Sequence, residues 1–164
     1  LMFKFEWPLI VPASKTVKKL ANATFDVDEY VVDVAKKHGL PEGLKPVEGG
    51  VSVHLACHAR AQNMGPKAAE MLRLIPETKV DVIERCSGHG GTFGVLKPTH
   101  EVARKVGRAA ARTASGHAHA HVVSDCPLAA KHLRQLMRVT DEGVEPSQAA
   151  HPIEVMAKAY GLVE

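Results

Sequence analysis

The chain has 164 residues, 45% of them hydrophobic, 24% charged and only 4% aromatic, with a formal net charge of +3. This is one domain's length with enough apolar material for a core, too apolar for a disordered chain, and its three cysteines are too few for a disulfide scaffold. No apolar run approaches the roughly 20 residues needed to span a bilayer, and no Lys/Arg stripe with interleaved aromatics marks a nucleic-acid partner.

The chain opens on Leu1-Met2-Phe3-Lys4-Phe5. It lacks the basic, apolar and small-residue order of a signal peptide, and we expect it to be a piece of a longer protein cut ahead of Leu1. Residues 1–48 read as mostly helical, with Pro8 and Pro12 interrupting the first stretch and Ser14 capping a short helix that carries Val17 and Leu20. Asp26 and Glu29 form a capping box. Val27, Tyr30, Val31 and Val34 then recur at helical spacing, and Gly39 and Pro41 stop that helix. Pro41 to Gly50 reads as a linker, dividing a helical segment (1–48) from an α/β domain (49–164).

From residue 51 the pattern becomes regular. Val51 to Ala56 alternates like a strand. Pro66 opens a helix with Ala68, Met71, Leu72 and Ile75 on one face. Lys79 to Glu84 is a second strand, followed by a glycine-rich loop. A helix runs from about Thr99 to Ala114 with Val102, Val106, Ala109 and Thr113 inward. His121 to Ser124 is a third strand and Leu128 to Arg138 a helix. A last helix carries Ile153, Met156, Ala157 and Tyr160, opened by Pro152 and ended by Gly161. The fold class is therefore α/β: a Rossmann-like parallel sheet in βαβαβα order, preceded by a mostly helical segment. In such sheets ligands gather beyond the carboxyl ends of the strands.

The three cysteines fall there. Cys57 follows the first strand, Cys86 the second after Arg85, and Cys126 the third after Asp125. Any one of them is readily explained as a small core residue. Three at equivalent points, with strands about 4.8 Å apart, point to a shared site for a thiophilic metal or an iron–sulfur cluster.

At these residues the sequence resembles a known family. The segments His54-Leu-Ala-Cys57-His58-Ala-Arg60-Ala-Gln62, Cys86-Ser87-Gly88-His89-Gly90-Gly91 and Asp125-Cys126-Pro127-Leu-Ala129 resemble the cysteine-rich CCG domain. That domain occurs twice in the B subunit of heterodisulfide reductase, and also in the C subunit of anaerobic glycerol-3-phosphate dehydrogenase. The run from Cys57 through Leu74-Ile75-Pro76 to Thr92 is most similar to the latter group. The resemblance covers residues 51 to about 160, and residues 1–48 resemble the segment joining two such domains.

What the resemblance implies is an iron–sulfur electron-transfer module. Its cofactor would be a cluster, of the four-iron four-sulfur kind in the full-length protein. Its partners would be a preceding second CCG domain and a ferredoxin-type domain of the same chain, a dehydrogenase subunit, and a quinone at the membrane surface. It would be cytoplasmic, peripheral on the inner face of the inner membrane. The family's second block is Cys-Cys-Gly and its third Cys-x-x-Cys; here Ser87 and Ala129 replace the second cysteines. Only Cys57, Cys86 and Cys126 carry over, so a five-cysteine noncubane cluster is not expected. The alternatives are three thiols with a fourth, non-cysteine ligand holding a conventional cluster or a zinc ion, or a cluster shared with the missing half; in the isolated piece the site is expected to be empty.

His58 and His89, each within three residues of a cysteine, are the candidate fourth ligands. His54 sits inside the first strand and is read as a hydrogen-bonded residue. His117, His119 and His121 alternate. Alternation would put them on one strand face, either as a metal site or, the favoured reading, as a solvated strand entry at the edge opposite Cys126. Ser87, Gly88, Gly90 and Gly91 form a loop that would let backbone amides approach a cofactor, with Thr92 and Phe93 at its far side. Phe93 breaks the dinucleotide glycine template, and no Gly-Lys-Ser/Thr follows. Arg60, Glu84 and Arg85 read as surface or loop residues, and Asp125 as a group orienting its loop. The expected function is passage of electrons from a partner dehydrogenase toward a quinone. The alternatives are a zinc-binding or degenerate assembly module that has lost its cluster, and a small-molecule reductase using one cysteine.

Overall fold

A computed structural model describes residues 1–140 and 150–163, with the side chains of 138–140 left aside. Three parallel strands, β1 (Val51–His54), β2 (Val80–Ile83) and β3 (His121–Ser124), form a sheet in the order β2-β1-β3. The helices are α1 (Trp7–Ile10), α2 (Lys15–Asn22), α3 (Val27–His38), α4 (Cys57–Ala61), α5 (Lys67–Leu72), α6 (Lys97–His117), α7 (Pro127–Thr140) and α8 (Pro152–Ala159). The α/β class, the parallel sheet and the helical N-terminal part are as expected from the sequence.

Helices cover both faces of the sheet, so every residue of β1 and β3 is buried, the polar ones included. On one face Val51, Val53 and Val123 pack with Met71, Leu72, Val155 and Met156. On the other Ile83 and Val122 pack with Ala110, Ala111, Ala114, Leu133 and Leu136. Val32 of α3 and Val47 join the first of these cores, and Lys45 N–H bonds the Ala159 carbonyl, so Pro41–Gly50 lies along α8. Tyr160 Oη donates to the Pro41 carbonyl at 3.0 Å.

Several local expectations hold. Ser14 accepts from Val17 N–H, Asp26 and Glu29 close a capping box, and Ala68, Met71, Leu72 and Ile75 are buried. Others are corrected. Pro8 does not interrupt the first helix: a turn of π-helix at Met2–Glu6 runs into α1, and Pro8 sits in that helix's first turn, where a missing N–H costs little. Helix α4, with Cys57 as its first residue, has no counterpart in the sequence pattern.

Helix α3 buries Asp28 and Val32 while Val27 and Tyr30 are exposed. The face is turned because Asp28 meets Asp125 at the end of β3. Helix α6 is turned likewise: Ala103, Gly107, Ala110, Ala111 and Ala114 face inward, and Val102 and Val106 are about half exposed. Here close approach outweighs side-chain bulk. A Cβ on Gly107 would collide with the Ser87 carbonyl, so the small residues must face the glycine loop.

Candidate functional site

The parallel register aligns His54 with Ile83 and with Ser124, so the three strands end level at one sheet edge. All three thiols lie just past that line. Cys57 opens α4, Cys86 begins the glycine loop, and Cys126 caps α7, its carbonyl accepting from Ala129 and Ala130 N–H. All three are free of disulfides, Cys57 and Cys86 exposed and Cys126 half-buried.

His54 holds the three strand ends together. Its Nε2 lies 2.9 Å from the Arg85 carbonyl and its Nδ1 3.0 Å from Ser124 Oγ. A carbonyl only accepts, so Nε2 carries the proton. Burial, the largest influence, pushes the His54 pKa down and keeps the ring neutral, so Nδ1 accepts from the Ser124 hydroxyl. Ser124 Oγ in turn accepts from Cys126 N–H at 3.2 Å. The chain runs Cys126 N–H to Ser124, Ser124 O–H to His54, His54 N–H to Arg85. It fixes the backbone beside Cys86 and Cys126 from a ring on β1.

The glycine loop is seated on α6. Gly88 has φ +78°, and a Cβ there would strike the Ala103 carbonyl and approach Gly107 N. From that seat Gly88 N–H points at Cys86 Sγ at 3.4 Å. Ser87 is buried, its Oγ accepting from His89 N–H, whereas Gly90 and Gly91 are exposed with positive φ, Gly90 beside Phe93 and Gly91 in open space. Thr92 and Phe93 lie exposed beyond them. Ala129 is buried on α7.

The two candidate fourth ligands part company. His58 is exposed on α4, one residue from Cys57. His89 is buried beneath the loop, 6% exposed, with neither ring nitrogen hydrogen-bonded. Leaving a buried polar group unpaired costs about 1–3 kcal/mol. Arg60 and Glu84 line a shallow cleft with Asn63 and Pro66, while Arg85 lines another with Arg112.

The alternating histidines do not share a strand face. His117 ends α6, His119 lies in the turn and His121 begins β3. His119 and His121 are buried rather than solvated. Their partners are structural: His117 Nδ1 lies 2.9 Å from Ser52 Oγ, and His119 Nε2 2.7 Å from Asp81 Oδ2. The hydrogen bond from His119 is the main influence lowering the Asp81 pKa.

Sequence reasoning missed one feature of this edge. Asp26, Asp28 and Asp125 bring carboxylate oxygens within 4.8 Å of one another. Asp28 is fully buried and its pKa is raised to about 8, chiefly by burial, then by the hydrogen bond and charge of Asp125 and the charge of Asp26. Asp28 therefore keeps its proton at neutral pH beside the Asp125 carboxylate group. A polar residue one position off the predicted apolar stripe of α3 was the only signal available.

The chain is thus an α/β protein whose carboxyl edge presents three free thiols, a backbone amide aimed at one sulfur, and a buried network holding the thiol-bearing segments. As a donor set these residues fit a thiophilic cofactor. Among the described residues the thiols do not form a group of three ligand atoms within 4.8 Å. The chain is similar to an uncharacterized iron-sulfur protein of Methanocaldococcus jannaschii, 29% identical over 116 residues. Those residues are 70% of this chain and 23% of that protein, so the chain spans about a quarter of the relative it matches. No family profile and no solved structure matches the chain. The likeness is to an iron–sulfur protein and goes no finer. Among the described residues no helix is long and apolar enough to cross a membrane.

Proposed function

We propose that the chain is the thiol-bearing α/β module of an iron–sulfur electron-transfer subunit, in which Cys57, Cys86 and Cys126 ligate a cluster. The observation that carries this reading is the placement of three free thiols past the level ends of three parallel strands. The likeness to an iron–sulfur protein supports it. A bound cluster would supply one-electron chemistry. The protein's share is ligation by the thiols, the Gly88 amide beside Cys86 Sγ, and the orientation that His54 gives to the loops. His58, exposed beside Cys57, is the histidine available to complete the set.

In finer detail the reading is a CCG-type domain similar to those of the heterodisulfide reductase B subunit and the glycerol-3-phosphate dehydrogenase C subunit. It would work with a second such domain, take electrons from a partner dehydrogenase and pass them toward a quinone at the cytoplasmic membrane face. Anaerobic reconstitution with iron and sulfide tests the ligand assignment. A paramagnetic signal should appear on reduction and be lost in a variant with Cys57, Cys86 and Cys126 all replaced by serine. Retention of the signal in that variant would overturn the assignment.

A degenerate, zinc-binding version is the second reading. Ser87 and Ala129, where the family has further cysteines, are buried against α6 and within α7, so neither position offers a ligand. One zinc bound by the thiols, with no uptake of iron and sulfide, would favour this version.

A further inference from the structure

We propose that His89, His100 and His132 form a second, thiol-independent site for a divalent transition metal of the zinc class, between the glycine loop, the start of α6 and the middle of α7. The His89 and His132 ring centroids are 6.0 Å apart, and those of His100 and His132 are 6.3 Å apart. The three residues come from three different segments of the chain, so the fold and not local sequence gathers them.

Their nitrogens are prepared as ligands. His100 Nδ1 lies 2.7 Å from the Gly94 carbonyl and must donate to it, which leaves Nε2 with its lone pair free. A ring oriented by an N–H bond to a backbone carbonyl is the usual support for a metal-binding histidine. His132 is 5% exposed and its Nε2 has no partner. Both nitrogens of buried His89 are unpartnered.

The geometry needs a small closure. With metal–nitrogen bonds of 2.0–2.1 Å, ring centroids around a tetrahedral ion stand about 5 Å apart. His132 must therefore draw about 1 Å nearer to each of the other two rings, and the rings must turn, since among the described residues these three do not bring one ligand nitrogen each within 4.8 Å of one another. Imidazole-only ligation suits zinc, copper, nickel or iron rather than magnesium or calcium. His100 and His132 line an open cleft of about 340 Å³ together with Arg104, Gln135 and Leu136. Arg104 is paired with Glu101 at 3.0 Å, which offsets its repulsion of a cation.

The proposal does not rest on the cluster reading, and its test separates the two. Cobalt(II) is titrated into the full chain carrying serine at Cys57, Cys86 and Cys126, where thiol ligation is gone. One equivalent should bind, giving ligand-field bands without sulfur charge transfer, and zinc should displace it. H132A should weaken binding at least about a hundredfold. H100A, at a half-buried position that can be vacated without unfolding, should do the same while circular dichroism stays native. In the cysteine-intact chain H100A should leave iron and sulfide uptake unchanged. No cobalt bound by the serine variant, or equal affinity in natively folded H100A, would overturn the site.

Discussion

His54 Nδ1 lies 3.0 Å from Ser124 Oγ, joining β1 to β3 at the level where both strands end. The bond is directional: the serine hydroxyl donates, because the other ring nitrogen gives its proton to the Arg85 carbonyl. It turns two buried polar residues that would otherwise cost stability into a brace for the cysteine-bearing segments.

Replacing His54 by alanine orphans the Ser124 hydroxyl and the Arg85 carbonyl and opens a cavity. It should cost about 2–4 kcal/mol in urea unfolding. S124A removes a smaller group and should cost about 1–2 kcal/mol. If both variants unfold at wild-type urea concentrations, the ring does not brace the edge.

The glycine loop makes unequal demands on its residues. G88A meets both a positive φ and the α6 backbone, and should cost about 2–4 kcal/mol and lower cofactor uptake. G91A has positive φ but open space, so about 1 kcal/mol with normal uptake is expected. Equal costs in thermal or urea unfolding would show that the loop is not seated on α6.

The pH dependence has two opposing sides. Folded Asp28 keeps its proton up to about 8, whereas unfolded it loses it near 3.8, so stability falls as pH rises through that window. His54, His121 and His132 have lowered pKa values, each first through burial. The unfolded chain gains protons there below about 6.5 that the folded chain resists, so stability also falls on acidification. With chelator present, urea unfolding should place maximum stability at about pH 6–7. D28N, whose amide can donate to Asp125, should flatten the alkaline side and steepen the acid side. An unchanged alkaline slope in D28N would remove Asp28 from the account.

The α/β architecture was legible because strand alternation, Pro66, Pro152 and the glycine punctuation act locally. The edge bearing Cys57, Cys86 and Cys126 was legible as a consequence of parallel order. What escaped depends on long-range packing. The α6 face could not be read from bulk, since the Ser87 carbonyl demands Gly107 rather than Val106. Asp28 broke the apolar stripe of α3 for a partner far along the chain, Asp125. His117, His119 and His121 alternate in sequence, but the chain leaves α6 and turns between them, so their faces differ. The sequence marks His54 as a hydrogen-bonded residue, but its role as the link among all three strand ends needed the partners' positions.

The central claim is tested most directly by iron and acid-labile sulfide analysis after anaerobic reconstitution of the whole chain. Both elements should be found in comparable amounts per chain, and neither above background when Cys57, Cys86 and Cys126 are all serine. Absence of both from the wild-type chain, or equal content in the serine variant, would contradict it.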